Sequence, residues 1–179
     1  MRRSIFLLIA CLALAASAFA QVEESATGRR LKIYAGGEGS AFQPDYAGTG
    51  VAQTAPNRLY GYGAYVDFNF TRWVQVEAEA RFLNLNQYLG ISESSYMAGF
   101  RIPITQYKRA TPYGKFMYGF GSGSFLTGRS AAFAYGGGLD YRLSKRFVLR
   151  AFEIEYQNWQ VTPNLYPYGA SVGLSYRVF

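Results

Sequence analysis

The chain has 179 residues, of which 50% are hydrophobic and 18% aromatic, and its formal net charge is +7. This composition excludes a disordered chain, because disordered segments have low hydrophobicity and few aromatic residues. The complete lack of histidine excludes Ser-His-Asp and Cys-His catalysis and the usual zinc sites. No run of Lys or Arg suggests a nucleic-acid partner, and we expect none.

The first twenty residues have the organisation of a secretory signal peptide. Arg2 and Arg3 form a positive n-region, and an apolar run extends over Ile5–Ala16. Ala18-Phe19-Ala20 then provides the small-x-small site that signal peptidase recognises. The apolar run is shorter than the roughly 20 residues of a membrane-spanning helix. We therefore predict that residues 1–20 direct export and are cleaved before Gln21.

The remainder of the chain is predicted to form one β-domain. Residues 21–30 are polar and are predicted to be a flexible N-terminal arm. From residue 31 to residue 179, apolar and polar residues alternate with period two, which indicates strands. Most of the eight predicted strands have 10 to 14 residues, and a tilted strand needs roughly 9–11 residues to cross a bilayer. The predicted strands are Leu31–Ser40, Leu59–Phe70, Trp73–Asn84, Ser95–Thr105, Tyr113–Ser122, Ala132–Leu143, Phe147–Gln157 and Tyr166–Phe179.

The connections between these strands alternate between short turns and longer loops. In an up-and-down antiparallel barrel, alternate connections lie at the same end, so all the longer loops share one end and both termini share the other. Transmembrane barrels have this asymmetry, with short periplasmic turns and longer extracellular loops. The pattern therefore predicts an eight-stranded antiparallel up-and-down transmembrane β-barrel.

The size of the side chains on each strand face favours a membrane barrel over a soluble one. Tyr and Phe recur on one face, whereas Gly, Ala, Ser and charged residues recur on the other. The interior of an eight-stranded barrel has no room for aromatic rings from every strand, so we expect the apolar face to contact lipid. The alternative is a soluble exported barrel that binds a hydrophobic ligand inside.

The polar face carries equal numbers of positive and negative residues. Seven cations face seven anions: Lys32, Arg81, Arg101, Lys115, Arg142, Arg150 and Arg177 against Glu38, Asp67, Glu77, Glu79, Asp140, Glu153 and Glu155. Buried charges must be paired, so we predict a closed lumen filled by ion pairs. Strict alternation would place Arg150 and Glu153 on opposite faces. A β-bulge at Ala151-Phe152 is therefore predicted, which turns Arg150, Glu153 and Glu155 inward together.

Two pairs of carboxylates on the polar face raise the question of catalysis. Glu77 with Glu79, and Glu153 with Glu155, superficially resemble the acid and nucleophile of a glycosidase. Structural ion pairing with neighbouring arginines explains the same clustering. We therefore predict no catalytic residue, no cofactor and no metal, with a carboxylate-dependent outer-membrane enzyme as the alternative.

Residues 31–179 as a whole resemble the small eight-stranded outer-membrane β-barrels of Gram-negative bacteria, the type of OmpA, OmpX and the opacity proteins. The resemblance rests on the signal peptide, the strand number, the loop asymmetry and the ending Gly173-Leu174-Ser175-Tyr176-Arg177-Val178-Phe179. It implies an outer-membrane location in contact with lipid and lipopolysaccharide, and recognition of Phe179 by the barrel-assembly machinery. It also implies a non-enzymatic role, structural or in surface interaction, with any surface ligand bound through the longer loops.

Overall fold

A computed structural model of the protein describes residues 31–47, 58–71, 73–85 and 90–179. The predicted signal peptide and the predicted arm, residues 21–30, lie outside the described residues. Eight antiparallel strands close into a barrel in which each strand pairs with its sequence neighbours and the first pairs with the last. The strands are β1 (Lys32–Gln43), β2 (Leu59–Asn69), β3 (Gln75–Leu83), β4 (Glu93–Pro103), β5 (Ala110–Gly123), β6 (Ser130–Arg142), β7 (Phe147–Trp159) and β8 (Tyr168–Arg177). Among the described residues, no helix is both long enough and apolar enough to cross a membrane.

The closed up-and-down barrel confirms the predicted fold class. All eight predicted strands are present, and their bounds differ from the predicted ones by at most three residues. The short turns β2–β3, β4–β5 and β6–β7 lie at the end where β1 begins and β8 ends, here called the turn end. The longer connections lie at the opposite end, here called the loop end.

The two faces of the sheet differ as the alternation predicts. Large apolar side chains are exposed on the outer face, where they include Tyr62, Tyr96, Phe100, Phe116, Tyr118, Phe120, Ile154 and Val172. Charged side chains lie inside, and Glu77 and Glu153 are fully buried. A soluble ligand-binding barrel requires the reverse arrangement, whereas an apolar exterior around a polar interior is that of a membrane barrel.

Glycines on the inner face allow adjacent strands to approach closely. At Gly99, an added Cβ would lie only 2.6 Å from Cα of Met117 on the neighbouring strand. No side chain fits there without moving the backbone, so the close contact between β4 and β5 requires glycine at this position.

The predicted β-bulge in β7 is confirmed by the strand register. Against β6, Leu139 pairs with Phe152 and the next residue, Asp140, pairs with Arg150, so Ala151 is the extra residue. The register against β8 also shifts between Arg150 and Glu153. Arg150 and Glu153 are consequently both buried, while Phe152 is 50% exposed on the outer face.

Candidate functional site

Four buried cations from four strands occupy the middle of the barrel interior. Arg81 on β3, Arg101 on β4, Lys115 on β5 and Arg150 on β7 are each at most 5% exposed. Every one of them lies within ion-pair distance of three or four carboxylates, which together join the four cations into one network. The carboxylates are Glu38, Asp67, Glu77, Glu79, Asp140, Glu153 and Glu155.

Arg150 has the most varied contacts in this network. Its Nη1 donates a hydrogen bond to Oε2 of Glu38 at 3.1 Å, and its Nη2 donates to Glu77. Nη1 also lies 3.3 Å from Oε2 of Glu153. The guanidinium stands 3.7 Å from the centre of the Tyr65 ring, a cation–π distance. The bulge in β7 is what allows this side chain and Glu153 to meet inside the barrel.

Arg81 occupies the centre of a cluster of carboxylates. Oxygens of Glu38, Glu79 and Glu153 lie within 4.8 Å of one another, a spacing that would suit a metal ion. Nη2 of Arg81 lies 3.1 Å from Glu38 and 3.9 Å from Glu153, and it also pairs with Glu79. Its Nη1 donates to Glu155 at 2.8 Å. The guanidinium thus supplies the positive charge that these carboxylates require.

Lys115 and Tyr113 donate hydrogen bonds to carboxylates of the same network. Nζ of Lys115 donates to Oε1 of Glu153 at 2.6 Å and to Oε2 of Glu79 at 3.1 Å, and it also pairs with Glu155. The Tyr113 hydroxyl donates to Oε2 of Glu153 at 2.6 Å. Glu153 therefore has a hydrogen-bond donor at each of its oxygens. Such bonds fix the position of the carboxylate.

The structure brings eleven of the fourteen predicted lumen residues into this network and leaves three outside it. Lys32 and Arg142 are exposed and Arg177 is half-buried, all at the turn-end rim of the barrel. Long cationic side chains at the end of a strand reach water, so they need no buried partner. The predicted balance of seven against seven is therefore wrong for the interior, where seven carboxylates meet four cations.

An apolar region inside the loop end was not predicted from the sequence. Two clusters of buried side chains lie there, and Phe125 from the β5–β6 loop packs against both. One contains Phe42, Leu59, Leu83 and Ile91, and the other Met97, Met117, Ala132, Ala134, Trp159 and Leu165. We call these two clusters with Phe125 the loop-end plug. The signal was present in the sequence, since Phe42, Leu83 and Trp159 occupy polar-face positions at the loop ends of their strands.

Polar contacts join the loop-end plug to the ion-pair network and to the loops. Nε1 of Trp159 donates to Gln157 at 2.7 Å, and Nε2 of Gln157 donates to Glu155 at 2.6 Å. Tyr46 packs edge-on against Phe125, with ring centres 5.3 Å apart. Burial and, to a smaller extent, the Glu93 carboxylate raise the pKa of Tyr46 to about 12.

The turn end of the interior is open in comparison. A cavity of about 110 Å³ lies beside Asp67, Arg101, Asp140 and Arg142. Its lining is polar and reaches the buried network, because Arg101 pairs with Asp67 at 2.9 Å and with Asp140 at 2.7 Å. At the loop end, a cavity of only about 10 Å³ lies beside Trp159 and Glu93. The interior thus has a polar cavity large enough for water at one end and is packed with apolar side chains at the other.

This combination of a closed eight-stranded barrel, an apolar exterior and a charged interior defines a class of outer-membrane proteins. The family model described as the outer membrane protein beta-barrel domain matches residues 6–177, and the chain belongs to this family. The family and the fold indicate the outer membrane as its location. No curated protein matches the sequence.

Solved structures of outer-membrane proteins share the fold at low sequence identity. Neisserial surface protein A superposes with a TM-score of 0.59 at 11% identity, over 81% of this chain and 96% of that protein. OprG from Pseudomonas aeruginosa gives a TM-score of 0.55 at 12% identity, over 83% and 96% of the two chains. Ail, the attachment invasion locus protein of Yersinia pestis, gives 0.50 at 18% identity, over 82% and 97%. At these identities the likeness shows the fold alone.

Proposed function

We propose that the protein is a non-enzymatic outer-membrane barrel with a structural or surface-interaction role and a lumen closed by ion pairs. The observation that carries this proposal is the contact of every buried cation with three or four carboxylates. The two carboxylate pairs that could serve as acid and nucleophile, Glu77 with Glu79 and Glu153 with Glu155, are buried, with no member more than 6% exposed. All four are engaged by buried cations, so their charges stabilise the network and are not presented to a substrate.

The same proposal assigns partners to the surfaces of the barrel. The outer face contacts membrane lipid and lipopolysaccharide, since its exposed side chains are aromatic and aliphatic. Phe179 lies beyond the end of β8 and is 42% exposed, which leaves it accessible to the barrel-assembly machinery during biogenesis. The longer loops are the surface for any ligand outside the cell. Residues 1–20 act as the cleaved signal peptide.

Three measurements test the proposal. We expect the protein in the outer-membrane fraction, with a gel mobility that changes on heating, as a closed barrel requires. In planar bilayers we expect no stable channel, because eight strands enclose only enough space for side chains. Folded monomer recovered from the periplasm without detergent, or open-pore currents of the size of general porins, would contradict the proposal.

The enzyme alternative has a separate test in Glu79→Gln. This variant keeps the size of the side chain, so we expect a folded barrel without any change in hydrolysis of lipid or glycan. Glu38→Gln is the matched control, because Glu38 also pairs with Arg81 but belongs to neither carboxylate pair. A folded Glu79→Gln protein that has lost a hydrolytic activity retained by Glu38→Gln would replace the proposed role with a catalytic one.

A further inference from the structure

The positive charge of the protein is concentrated at the turn end. Within the part of the chain that the structure describes, six exposed cations and the half-buried Arg177 lie there, and we call this set the cationic collar. Its members are Lys32, Lys108, Arg109, Arg142, Lys145, Arg146 and Arg177. Among the described residues, no exposed Asp or Glu lies at this end. At the loop end, by contrast, Asp45 and Glu93 balance Arg58 and Arg129.

Tight turns hold the collar in place. In the β4–β5 turn, Tyr107 and Ala110 exchange two backbone hydrogen bonds of 2.9 Å, and Lys108 adopts a φ of 53° between them. In the β6–β7 turn, the backbone N–H groups of Arg146 and Phe147 both donate to Oγ of Ser144 at 3.1 Å. The four cations of these two connections are therefore presented from defined turns, whereas Lys32, Arg142 and Arg177 lie at the ends of strands.

Exposed aromatic side chains lie at the same level as the collar. Trp73 is 61% exposed and Tyr107 is 69% exposed at this end of the barrel. Nη1 of Arg146 donates to the Tyr176 hydroxyl at 3.2 Å, and Nζ of Lys108 lies 5.4 Å from the centre of the Tyr107 ring. Tyr and Trp favour the headgroup region of a bilayer. We therefore expect Lys108 and Arg146 to lie at the depth of the lipid phosphates.

We propose that the cationic collar binds the phosphates of anionic phospholipids in the periplasmic leaflet, with phosphatidylglycerol as the test lipid. Clustered cations beside a membrane attract anionic headgroups, and the attraction is screened by salt. The turn end meets the periplasmic leaflet because short turns lie on that side of outer-membrane barrels. This binding is independent of any ligand at the loops.

The two tryptophans of the chain provide a selective probe of this binding. Trp73 lies exposed at the turn end, whereas Trp159 is 1% exposed inside the loop-end plug. Brominated lipids in contact with the turn end will therefore quench Trp73, and Trp159 will supply a constant background. Two vesicle preparations have the same mixture of phosphatidylcholine and phosphatidylglycerol, but bromine is on the first lipid in one preparation and on the second in the other. The ratio of Trp73 quenching in the two preparations gives the relative affinity of the turn end for the two lipids. Trp73→Phe is the control and should abolish the quenching.

For the wild type at about 0.1 M salt, we expect phosphatidylglycerol to be preferred about five-fold at the contacted sites. At about 1 M salt, where the screening length falls to about 3 Å, the preference should approach one. Lys145→Gln with Arg146→Gln should reduce it at low salt. The matched control removes the same charge from the loop end, by Arg58→Gln with Arg129→Gln, and should leave the preference unchanged.

Several outcomes would overturn the inference. These are equal quenching by the two lipids at low salt, a preference that survives about 1 M salt, and equal losses in the turn-end and loop-end variants. A preference abolished by inorganic phosphate at constant ionic strength would instead assign the collar to a soluble anion. If a variant does not fold, as judged by gel mobility, the salt dependence of the wild-type lipid preference still tests the proposal. Loss of the lipid preference with normal gel mobility would leave the proposed function intact.

Discussion

The middle of the barrel interior and the loop-end plug are built from opposite kinds of side chain, although both lie on the same face of the same strands. On β7, Glu153 and Glu155 belong to the ion-pair network, while Trp159, on the same face, belongs to the plug. The plug is stabilised by the burial of apolar surface away from water. This stabilisation depends on the area buried and not on which apolar side chain lies next to which. The network, in contrast, is stabilised by specific ion pairs, which must offset the large free-energy cost of removing charged groups from water. The network should therefore be more sensitive to single substitutions, and its response should depend on the sign of the charge removed.

The largest effect is expected for Arg150→Met. This change leaves Glu38 and Glu77 without one of their buried partners, and we expect a loss of about 3–5 kcal/mol in the free energy of unfolding. Glu77→Gln should cost less, because the interior retains more carboxylates than cations after the change. Urea unfolding in detergent micelles measures both values.

The double variant with Arg150→Met and Glu77→Gln tests whether the two side chains interact directly. We expect its loss to be smaller than the sum of the two single losses, because the pair is removed together. Strictly additive losses would argue against direct pairing. A loss for Glu77→Gln as large as that for Arg150→Met would argue against the excess of carboxylates.

A smaller effect is expected in the plug from Gly121→Ala. An added Cβ at Gly121 would lie 2.5 Å from Cε2 of the Trp159 ring, so the ring must move, at a cost of about 1–3 kcal/mol. Gly39→Ala is the matched control, since no atom lies within 4 Å of the Cβ position there. Equal unfolding free energies for the two variants would show that Trp159 is not packed as described.

The smallest effect is expected from Tyr46→Phe and depends on pH. The Tyr46 pKa is raised from 10.0 to about 12 in the folded protein. The neutral phenol therefore stabilises the fold below pH 10, and this contribution is lost as the pH rises toward 12. Relative to the wild type, Tyr46→Phe should gain stability over this interval. Unfolding of both proteins at neutral and alkaline pH tests this, and a stability difference that does not change with pH would contradict it.

The ion-pair network could largely be predicted from the sequence, whereas the loop-end plug was not. Period two identified the strands, and a break in it between Arg150 and Glu153 located the bulge, because one residue reverses the face of every residue after it. Alternation gives only the face and contains no information on depth along the barrel axis. It therefore assigned Lys32, Arg142 and Arg177 to the lumen although they lie at its rim. The apolar plug was missed because its signal, an apolar residue at a polar-face position such as Phe42, Leu83 or Trp159, lies in the position along the strand and not in the alternation.

The distribution of charge along the barrel makes the molecule an electric dipole, with its positive pole at the cationic collar and its negative pole among the carboxylates. A cation pays several kcal/mol to pass through hydrocarbon, roughly 2.5–3.5 kcal/mol for Arg or Lys on insertion scales. The loop end, whose four charged residues sum to zero, is therefore the end that crosses the bilayer at lower cost. We therefore expect the collar to remain on the side from which the barrel enters, because its cations are the charges most costly to move across.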